Sequence, residues 1–252
     1  MLNAVLWGLV QGLTEFLPIS SSGHLVLVPA FAGVDQPDLA TSAVLHIGTL
    51  VAVVAYYRQD LLKLARFNRD PDSRRILKLL ALGTIPAVVG VLVEDQVGSL
   101  QESTTAVAIA LLATSVVLFV SGLFMEGKLT LERLPLRDGF IIGVAQAIAL
   151  IPGISRSGMT ITTGMNRGLE RTEAARFSFL LAVPAIAGAG LLQSLELAGS
   201  GGIPPEVWVG MAVAAASGYM AIAVLLKALA RFGLRPFAFY CLVVGIISLV
   251  VL

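Results

Sequence analysis

The stretch QGLTEFLPISSSGH, residues 11–24, places a glutamine, a glutamate, three consecutive serines and a histidine inside an apolar N-terminal region. Polar groups at membrane depth are tolerated only where protein or a wet cavity surrounds them, and they usually carry function. The flanking apolar pieces, residues 2–17 and 24–33, are too short or too polar to cross a membrane comfortably. We therefore predict a re-entrant helix–loop–helix that enters the membrane and returns to the same side.

The composition of the chain supports a membrane location. Its 252 residues are 57% hydrophobic and 13% charged, and the mean hydropathy is +0.90. Soluble domains usually carry about 25% charged residues, so this chain has too few charges to cover a surface that faces water. We predict an all-α polytopic membrane protein formed by one integral membrane domain, residues 1–252. The net charge of +1 gives no reason to expect a nucleic-acid partner.

A second polar stretch resembles the first. Residues 139–151 and 158–168 flank PGISRS, and a shift of 135 positions aligns the two stretches without a gap. The identities are Gly8 with Gly143, Gln11 with Gln146, Ile19 with Ile154, Ser20 with Ser155, Ser22 with Ser157 and Gly23 with Gly158. Chance similarity between segments rich in Gly and Ser is the alternative to a repeat.

Each polar stretch is followed by three apolar segments long enough to cross the bilayer as helices. We place the six crossings near 38–57, 75–94, 104–126, 176–195, 206–230 and 236–252. The three crossings per unit predict two inverted-topology repeats, residues 1–126 and 137–252, because an odd number of crossings turns the second unit upside down. Inverted repeats with broken helices that meet near mid-membrane form binding sites in membrane proteins.

The distribution of basic residues predicts the orientation. Every Lys and Arg except Arg156 falls in the segments 58–78, 127–138, 167–176 and 227–235, which we place in the cytoplasm. The opposite side holds VDQPD, EDQVGSLQES and ELAGSGGIPPE, which contain acids and no basic residue. Arg156 and Glu15 are then the charges left at membrane depth, one in each polar stretch. Such groups are normally paired and functional, although a purely structural Glu–Arg pair is the alternative.

Glu15 and Gln11 are four residues apart and share one helix face. A carboxylate and an amide carbonyl are hard oxygen ligands suited to Mg²⁺ or Ca²⁺, so these two residues are the expected metal ligands. One carboxylate is a weak metal site unless a phosphate supplies further oxygens. A polar helix face that lines water is the alternative.

The serine and glycine residues of both stretches are expected to begin helices. A helix N-terminus offers free N–H groups and the positive end of its dipole to an anion. The second stretch adds Arg156, whose guanidinium matches phosphate oxygens. Two such N-termini with one arginine predict a strong anion site, for which a diphosphate is a natural ligand. Capping of the helices by the serines is compatible with this role.

Two histidines lie in apolar surroundings. His24 follows Ser21 by three residues, which suggests a nucleophile with its base, or a general acid for a leaving group. Direct attack by water or by His24 is the rival to Ser21 as nucleophile. His46 is expected to be a hydrogen-bonded core residue or a group in the second shell of the site.

Both stretches together resemble the undecaprenyl-pyrophosphate phosphatases of the bacitracin-resistance type. QGLTEFLPISSSGH resembles their (E/Q)xxxE pattern followed by serines and a histidine, and PGISRSGMT resembles their PGxSRSxxT pattern. The resemblance runs over essentially the whole chain and includes FSFLLAVP at residues 177–184. The first motif position is Gln11 where some members have Glu, so mechanisms that give two carboxylates to the metal do not transfer directly.

The resemblance implies hydrolysis of undecaprenyl (C55) diphosphate to undecaprenyl phosphate and inorganic phosphate, with a divalent cation, in the bacterial plasma membrane. It also implies a role in recycling the lipid carrier of cell-wall synthesis. Together with the reasoning from residues, it predicts Ser21, His24, Glu15 and Arg156 as catalytic. The predicted diphosphate-binding residues are Ser20, Ser22, Gly23, Ser155, Arg156, Ser157 and Thr160.

The predicted partners are the polyprenyl diphosphate and membrane lipids, and the cleft is predicted to face the periplasm or exterior. A homodimer is left open. A polyprenyl-phosphate flippase, or a protein with both activities, fits the predicted architecture equally well. The Ser–His spacing favours the enzyme, since a carrier needs no nucleophile. A purely structural membrane protein would leave Glu15 and Arg156 without a sufficient reason.

Overall fold

A computed structural model describes residues 1–91, 100, 103–121, 127–197 and 204–252 of the chain. The described residues form eleven α-helices and a short 3₁₀ helix at Leu131–Arg133. The helices are α1 (Leu2–Phe16), α2 (Ser21–Ala32), α3 (Leu39–Tyr56), α4 (Arg58–Leu64), α5 (Pro71–Val91), α6 (Thr104–Ser121), α7 (Leu136–Ile148), α8 (Arg156–Asn166), α9 (Arg171–Leu197), α10 (Pro205–Phe232) and α11 (Arg235–Val251). The all-helical prediction is confirmed.

Three of the described helices, α3, α6 and α10, are long and apolar enough to cross a membrane. The other three predicted crossings coincide with α5, α9 and α11, of which α11 is apolar but has 17 residues. The predicted segments 92–94 and 122–126, and the loop 94–103 apart from residues 100 and 103, lie outside the described residues. Together these helices form a multi-pass membrane protein.

The outer surface of the helices is apolar, as lipid contact requires. Large hydrophobic side chains are exposed along the long helices, among them Ile109, Val116, Val224 and Val250. A soluble monomer seldom exposes contiguous apolar surface of this extent. The interior carries the polar groups instead, because Gln11, Glu15, Ser155 and Ser157 are all at most 7% exposed. The described interior thus holds a polar cluster within an apolar core, and the exposed faces of the long helices carry large hydrophobic side chains.

The short helices pack on different long helices. Helix α1 lies along α10, and α7 lies along α5. Helix α8 contacts α6, α7 and α9, while α2 contacts α1 and α6. The long helices pair as α3 with α9 and α10, and as α6 with α11. The helix pairs α1–α2 and α7–α8 are therefore held within the bundle by the long helices.

Helix α7 begins earlier than predicted, which corrects one charge assignment. The sequence predicts Asp138 in a loop, but α7 starts at Leu136 and includes Asp138 in its first turn. The positive end of the helix dipole stabilises a carboxylate at this position. Asp138 is 2% exposed and its Oδ1 lies 2.8 Å from Arg167 Nη2. Glu15 is thus not the sole buried acid among the described residues. Asp138 belongs to the segment rich in basic residues, where Arg167 neutralises it.

Candidate active site

The turn that joins α1 to α2 has an unusual backbone. Ser20 has φ +70°, and among the described residues it is the one non-glycine residue with a positive φ. Its hydroxyl caps α2 by accepting a hydrogen bond from the Gly23 N–H at 3.2 Å. A left-handed conformation is costly for a residue with a side chain and is found where surrounding structure enforces it. The turn makes Ser21 the first residue of α2 and brings it back beside the end of α1.

Glu15, in the last turn of α1, is the centre of the polar cluster. Its Oε2 accepts hydrogen bonds from Gln11 Nε2 at 3.0 Å and from Ser21 Oγ at 2.5 Å. Its Oε1 lies 2.5 Å from Nη2 of Arg156, which comes from the other polar stretch. The side chains of Glu15 and Arg156 are 6% and 17% exposed. The two charges predicted at membrane depth therefore form one ion pair.

The second turn repeats the cap of the first. Ser155 caps α8 by accepting from the Gly158 N–H at 3.1 Å, at the positions that align with Ser20 and Gly23. Arg156 is the first residue of α8, as Ser21 is the first residue of α2. Equivalent positions at two helix starts thus present an arginine and a serine to the same carboxylate.

Direct contacts hold the two turns together. Ser157 Oγ donates to the Leu17 carbonyl at 3.0 Å, and the Gly153 N–H donates to Ser22 Oγ at 3.5 Å. Thr114 of α6 supports the second turn, since its hydroxyl accepts from the Ser155 N–H and donates to the Gly153 carbonyl. Residues about 140 positions apart in sequence therefore form one continuous polar surface.

A cavity of about 360 Å³ opens onto this surface. Its polar wall contains predicted site residues and its remaining wall is apolar. The predicted residues on the wall are Glu15, Ser20, Ser21, Ser22, Ser155, Arg156 and His46. Apolar side chains on the wall include Leu25, Val26, Leu150, Ile154 and Ile186. A cavity with one charged wall and one apolar wall suits a ligand that has an anionic head and a hydrocarbon tail.

Other predicted site residues lie behind this wall. Gln11 is fully buried beside Glu15, and Ser157 is bound to the Leu17 carbonyl. Gly23 contributes its N–H to the cap of α2. Thr160 hydrogen-bonds the Arg156 carbonyl at 2.8 Å and the Ser178 hydroxyl at 2.6 Å. These groups hold the backbone that carries the residues on the wall.

His24 is not hydrogen-bonded to Ser21 in the described structure. Its Nδ1 lies 2.8 Å from the Ser20 carbonyl oxygen, which can only accept, so Nδ1 carries a proton. Its Nε2 lies 2.8 Å from the Tyr240 hydroxyl, and the two rings are stacked with centroids 5.6 Å apart. The structure thus does not bring together the Ser21–His24 pair that the spacing suggested. It places the Ser21 hydroxyl on Glu15 instead.

His46, expected in the second shell, lies on the cavity wall. Its Nδ1 donates to the Ser42 carbonyl at 2.7 Å, and its Nε2 is 3.8 Å from Glu15 Oε2. Sequence reasoning did not anticipate two further neighbours of the site. Tyr240 contacts a residue 216 positions away, for which the sequence holds no signal. Gln146 is on the cavity wall, and its alignment with Gln11 was a signal that the prediction left unused.

The donor set around Glu15 can contribute to a divalent-cation site but does not complete one. Gln11 Oε1 is buried and has no hydrogen-bond partner, which leaves a carbonyl oxygen beside the Glu15 carboxylate. No group of three or more His, Cys, Asp or Glu residues that could hold a metal occurs in the described parts of the chain. The protein therefore offers two hard oxygen donors here, and the remaining ligands would come from a phosphate and water.

The fold and the site define a class of protein: a helical membrane protein with a half-buried serine–carboxylate–arginine cluster on an amphipathic cavity. The sequence matches the family described as bacitracin resistance protein BacA over residues 4–247. The chain belongs to this family.

Curated relatives are similar over almost their whole length, and each is named undecaprenyl-diphosphatase. The protein from Rubrobacter xylanophilus is 43% identical, covering 95% of this chain and 94% of the relative. The proteins from Alcanivorax borkumensis and Methanosphaera stadtmanae are 41% and 38% identical. These comparisons cover 97% and 99% of this chain, and 96% and 97% of the two relatives.

Proposed function

We propose that this protein hydrolyses undecaprenyl diphosphate to undecaprenyl phosphate and inorganic phosphate. The observation that carries the proposal is the contact of Ser21 and Arg156 with Glu15 on the wall of an amphipathic cavity. The names of the relatives point to the same reaction. In the cell, this reaction would return the lipid carrier of cell-wall synthesis to its monophosphate form.

Ser21 is the nucleophile and Glu15 is its base. The Ser21 hydroxyl already donates to Glu15 Oε2, so a nucleophile and a proton acceptor are in hydrogen-bond contact. Ser21 Oγ attacks the terminal phosphorus, the bond to the bridging oxygen breaks, and the Ser21 proton passes to Glu15. Undecaprenyl phosphate leaves. Water then attacks the phosphorus of the phosphoserine, the bond between phosphorus and Ser21 Oγ breaks, and Glu15 returns its proton to Ser21 Oγ as inorganic phosphate leaves.

Arg156 binds the phosphate groups. Its Nη2 donates to Glu15, while its Nη1 is buried without a hydrogen-bond partner among the described residues. A diphosphate that enters the cavity would take over both nitrogens and release Glu15 to act as base. Guanidinium donors suit phosphate oxygens in pairs, and positive charge stabilises the charge that spreads over them during transfer.

Glu15 and Gln11 would hold Mg²⁺ or Ca²⁺ together with oxygens of the diphosphate. When bound, such a cation neutralises negative charge on the phosphoryl oxygens. The support from this chain is the Glu15 carboxylate and the unpartnered Gln11 carbonyl beside it. His24 has a supporting role in this scheme, because its bond to the Ser20 carbonyl fixes the turn that presents Ser21.

The fold consists of two inverted-topology repeats, each with a re-entrant helix pair and three crossings. The packing supports this arrangement, because α1 lies on α10 of the second repeat while α7, its counterpart, lies on α5 of the first. The aligned glycines Gly8 and Gly143 mark both contacts, and the aligned serines Ser20 and Ser155 cap both second helices. The catalytic carboxylate and arginine then come from opposite repeats.

The cavity faces the periplasm or exterior of the bacterial plasma membrane. Gln36 and Pro37 line it, and they belong to the segment VDQPD, which lacks basic residues. The basic segments hold a separate cluster, in which Arg176 bridges Asp60, Glu132 and Glu173. The positive-inside rule assigns that cluster to the cytoplasm.

Release of inorganic phosphate from undecaprenyl diphosphate by purified protein in detergent tests the function. We expect release by the wild type and a loss of at least about 100-fold in kcat/KM for Arg156→Ala, since the variant loses two hydrogen bonds to charged phosphate oxygens, each of which contributes about 1.5–3 kcal/mol. Arg137→Ala is the matched control, because that side chain is 78% exposed on the basic side.

The outcomes also separate the enzyme from the transporter. Detergent solution has no sides, so a flippase alone would release no phosphate, and that result would overturn the proposal. Near-normal turnover by folded Arg156→Ala would show that Arg156 does not bind the substrate. The names of the relatives favour the phosphatase over the flippase.

A further inference from the structure

Gln146 is a buried amide that the fold leaves unused. It lies in the last turn of α7, is 3% exposed and lines the cavity. Neither its Nε2 nor its Oε1 has a hydrogen-bond partner in the described structure. Most buried polar side-chain atoms do have a partner, so an amide with both ends unpaired requires an explanation.

The aligned residue of the first polar stretch shows why the amide is unpaired. Gln11 donates to Glu15, which lies one helical turn further on. The shift of 135 positions places Leu150 where Glu15 stands, and a leucine side chain cannot accept a hydrogen bond. Gln146 is therefore buried without a partner among the described residues, which is costly unless a ligand or a water molecule completes its hydrogen bonds. Such a group is expected where a ligand completes its hydrogen bonds.

A second unpaired donor lies on the same wall. Arg156 Nη1 is buried without a partner, and Arg156 lines the cavity with Gln146. The wall thus offers an uncharged donor, the Gln146 amide, and a charged donor, the Arg156 guanidinium. Both carboxylate oxygens of Glu15 already accept hydrogen bonds from protein groups. A ligand that satisfies this wall must be rich in acceptor oxygens and negatively charged.

We propose that Gln146 is a binding residue for the diphosphate, donating from Nε2 to a phosphoryl oxygen beside Arg156. Its Oε1 accepts from a water molecule that enters with the ligand. This assignment rests on the proposed function for the identity of the lipid, but the donor wall itself requires only a diphosphate. The same residue types aligned in the two polar stretches thus have different tasks: Gln11 orients the carboxylate, and Gln146 binds substrate.

The variant Gln146→Met tests the proposal, because it keeps the length of the side chain and removes both polar atoms. We expect its melting temperature in detergent to equal or exceed that of the wild type, since no hydrogen bond is lost in the free protein. Its kcat/KM for undecaprenyl diphosphate should fall about 10- to 100-fold, the effect of one hydrogen bond to a charged group. Gln146→Glu should lose more, because it places a negative charge beside the phosphates.

Thr162→Val is the matched control. The Thr162 hydroxyl on α8 is also buried without a partner in the described structure, but it does not line the cavity. Its removal should likewise spare the melting temperature and should leave kcat/KM unchanged. This pair separates the loss of a ligand contact from the removal of any unpaired buried atom.

A binding measurement without turnover separates the proposed role of Gln146 from the proposed phosphatase activity. Methylenediphosphonate should raise the melting temperature of the wild type and of Thr162→Val, and should have a much smaller effect on Gln146→Met and Gln146→Glu. Equal shifts and equal kcat/KM in the wild type and in both Gln146 variants would overturn the assignment. If the wild type released no phosphate but still showed a shift that the Gln146 variants lacked, the proposed function would fail while the role of Gln146 in anion binding would stand.

Discussion

The side chain that connects the site is Glu15. Its side chain is nearly buried in an apolar chain, and it accepts hydrogen bonds from Ser21, Gln11 and Arg156. A buried carboxylate with these partners is stable only while they remain in place, because an uncompensated charge at this depth is costly. In the proposed reaction, a diphosphate that binds Arg156 would weaken the ion pair with Glu15 and would make the carboxylate a better proton acceptor. The proposed reaction starts from this ion pair.

The backbone of Ser20 gives a prediction about stability. Ser20→Ala removes the cap of α2 and keeps a side chain at φ +70°, so it should lower the free energy of unfolding by about 1–2 kcal/mol. Ser20→Gly also removes the cap but suits the positive φ, so it should cost only a few tenths of a kcal/mol. Thermal denaturation of both variants in detergent measures the difference. A greater loss of stability in the glycine variant would contradict the assigned conformation.

For single residues, the sequence predicted which side chains belong to the site better than it predicted the contacts between them. Glu15 and Arg156 stood out because every other charge could be placed at a membrane surface or in a loop, and only Asp138 departed from that division. The Ser21–His24 pair did not form, because the Ser20 turn directs Ser21 to Glu15 and returns His24 to the Ser20 carbonyl. A spacing of three residues cannot foresee a left-handed residue just before the helix.

Helix contacts in this protein depend on close approach at glycine. A Cβ added at Gly8 of α1 would lie 2.3 Å from the Gly210 carbonyl oxygen of α10. A Cβ added at Gly143 of α7 would lie 2.3 Å from the Gly83 carbonyl oxygen of α5. Small residues permit such approach between helices in membranes, where the packing of backbones stabilises association. The short helices are thus fixed against long ones by the same device in both halves.

Substitution of these glycines should separate the helices. We expect Gly8→Ala and Gly143→Ala each to lower the free energy of unfolding by about 1–3 kcal/mol, because the added methyl group overpacks the contact. Gly188→Ala is the control, since no described atom lies within 4 Å of the added Cβ, and it should stabilise α9 by up to about 1 kcal/mol. The melting temperatures of the three variants in detergent measure these changes in stability. Equal behaviour of all three would contradict the close contacts.

The positions of the helices were largely predictable, whereas their exact starts were not. Apolar length identified α3, α6 and α10 as crossings. Helix α7 starts three residues earlier than predicted, because Asp138 stabilises the first turn of the helix and is paired there with Arg167. The segment predicted as one basic loop, residues 58–78, contains α4 and the start of α5. Hydropathy does not reveal such amphipathic helix ends.

For the molecule as a whole, the proposed repeats explain how one active site arises from two distant stretches. The packing of α1 on α10 and of α7 on α5 exchanges elements between the halves. Each half supplies one capped helix start, and the two starts carry different side chains, Ser21 and Arg156. In the proposed mechanism, divergence at these aligned positions gives a nucleophile at one helix start and an anion-binding group at the other. Under the proposed function, the apolar wall of the cavity would face the part of the isoprenoid chain next to the diphosphate.

The location of the transferred phosphoryl group tests the central claim most directly. Purified protein would be mixed with undecaprenyl diphosphate labelled in its terminal phosphate, quenched within a turnover, and mapped by mass spectrometry. We expect a labelled phosphoserine at Ser21, and no label and no turnover in folded Ser21→Ala. Label on His24, or phosphate release by Ser21→Ala at the wild-type rate, would contradict it.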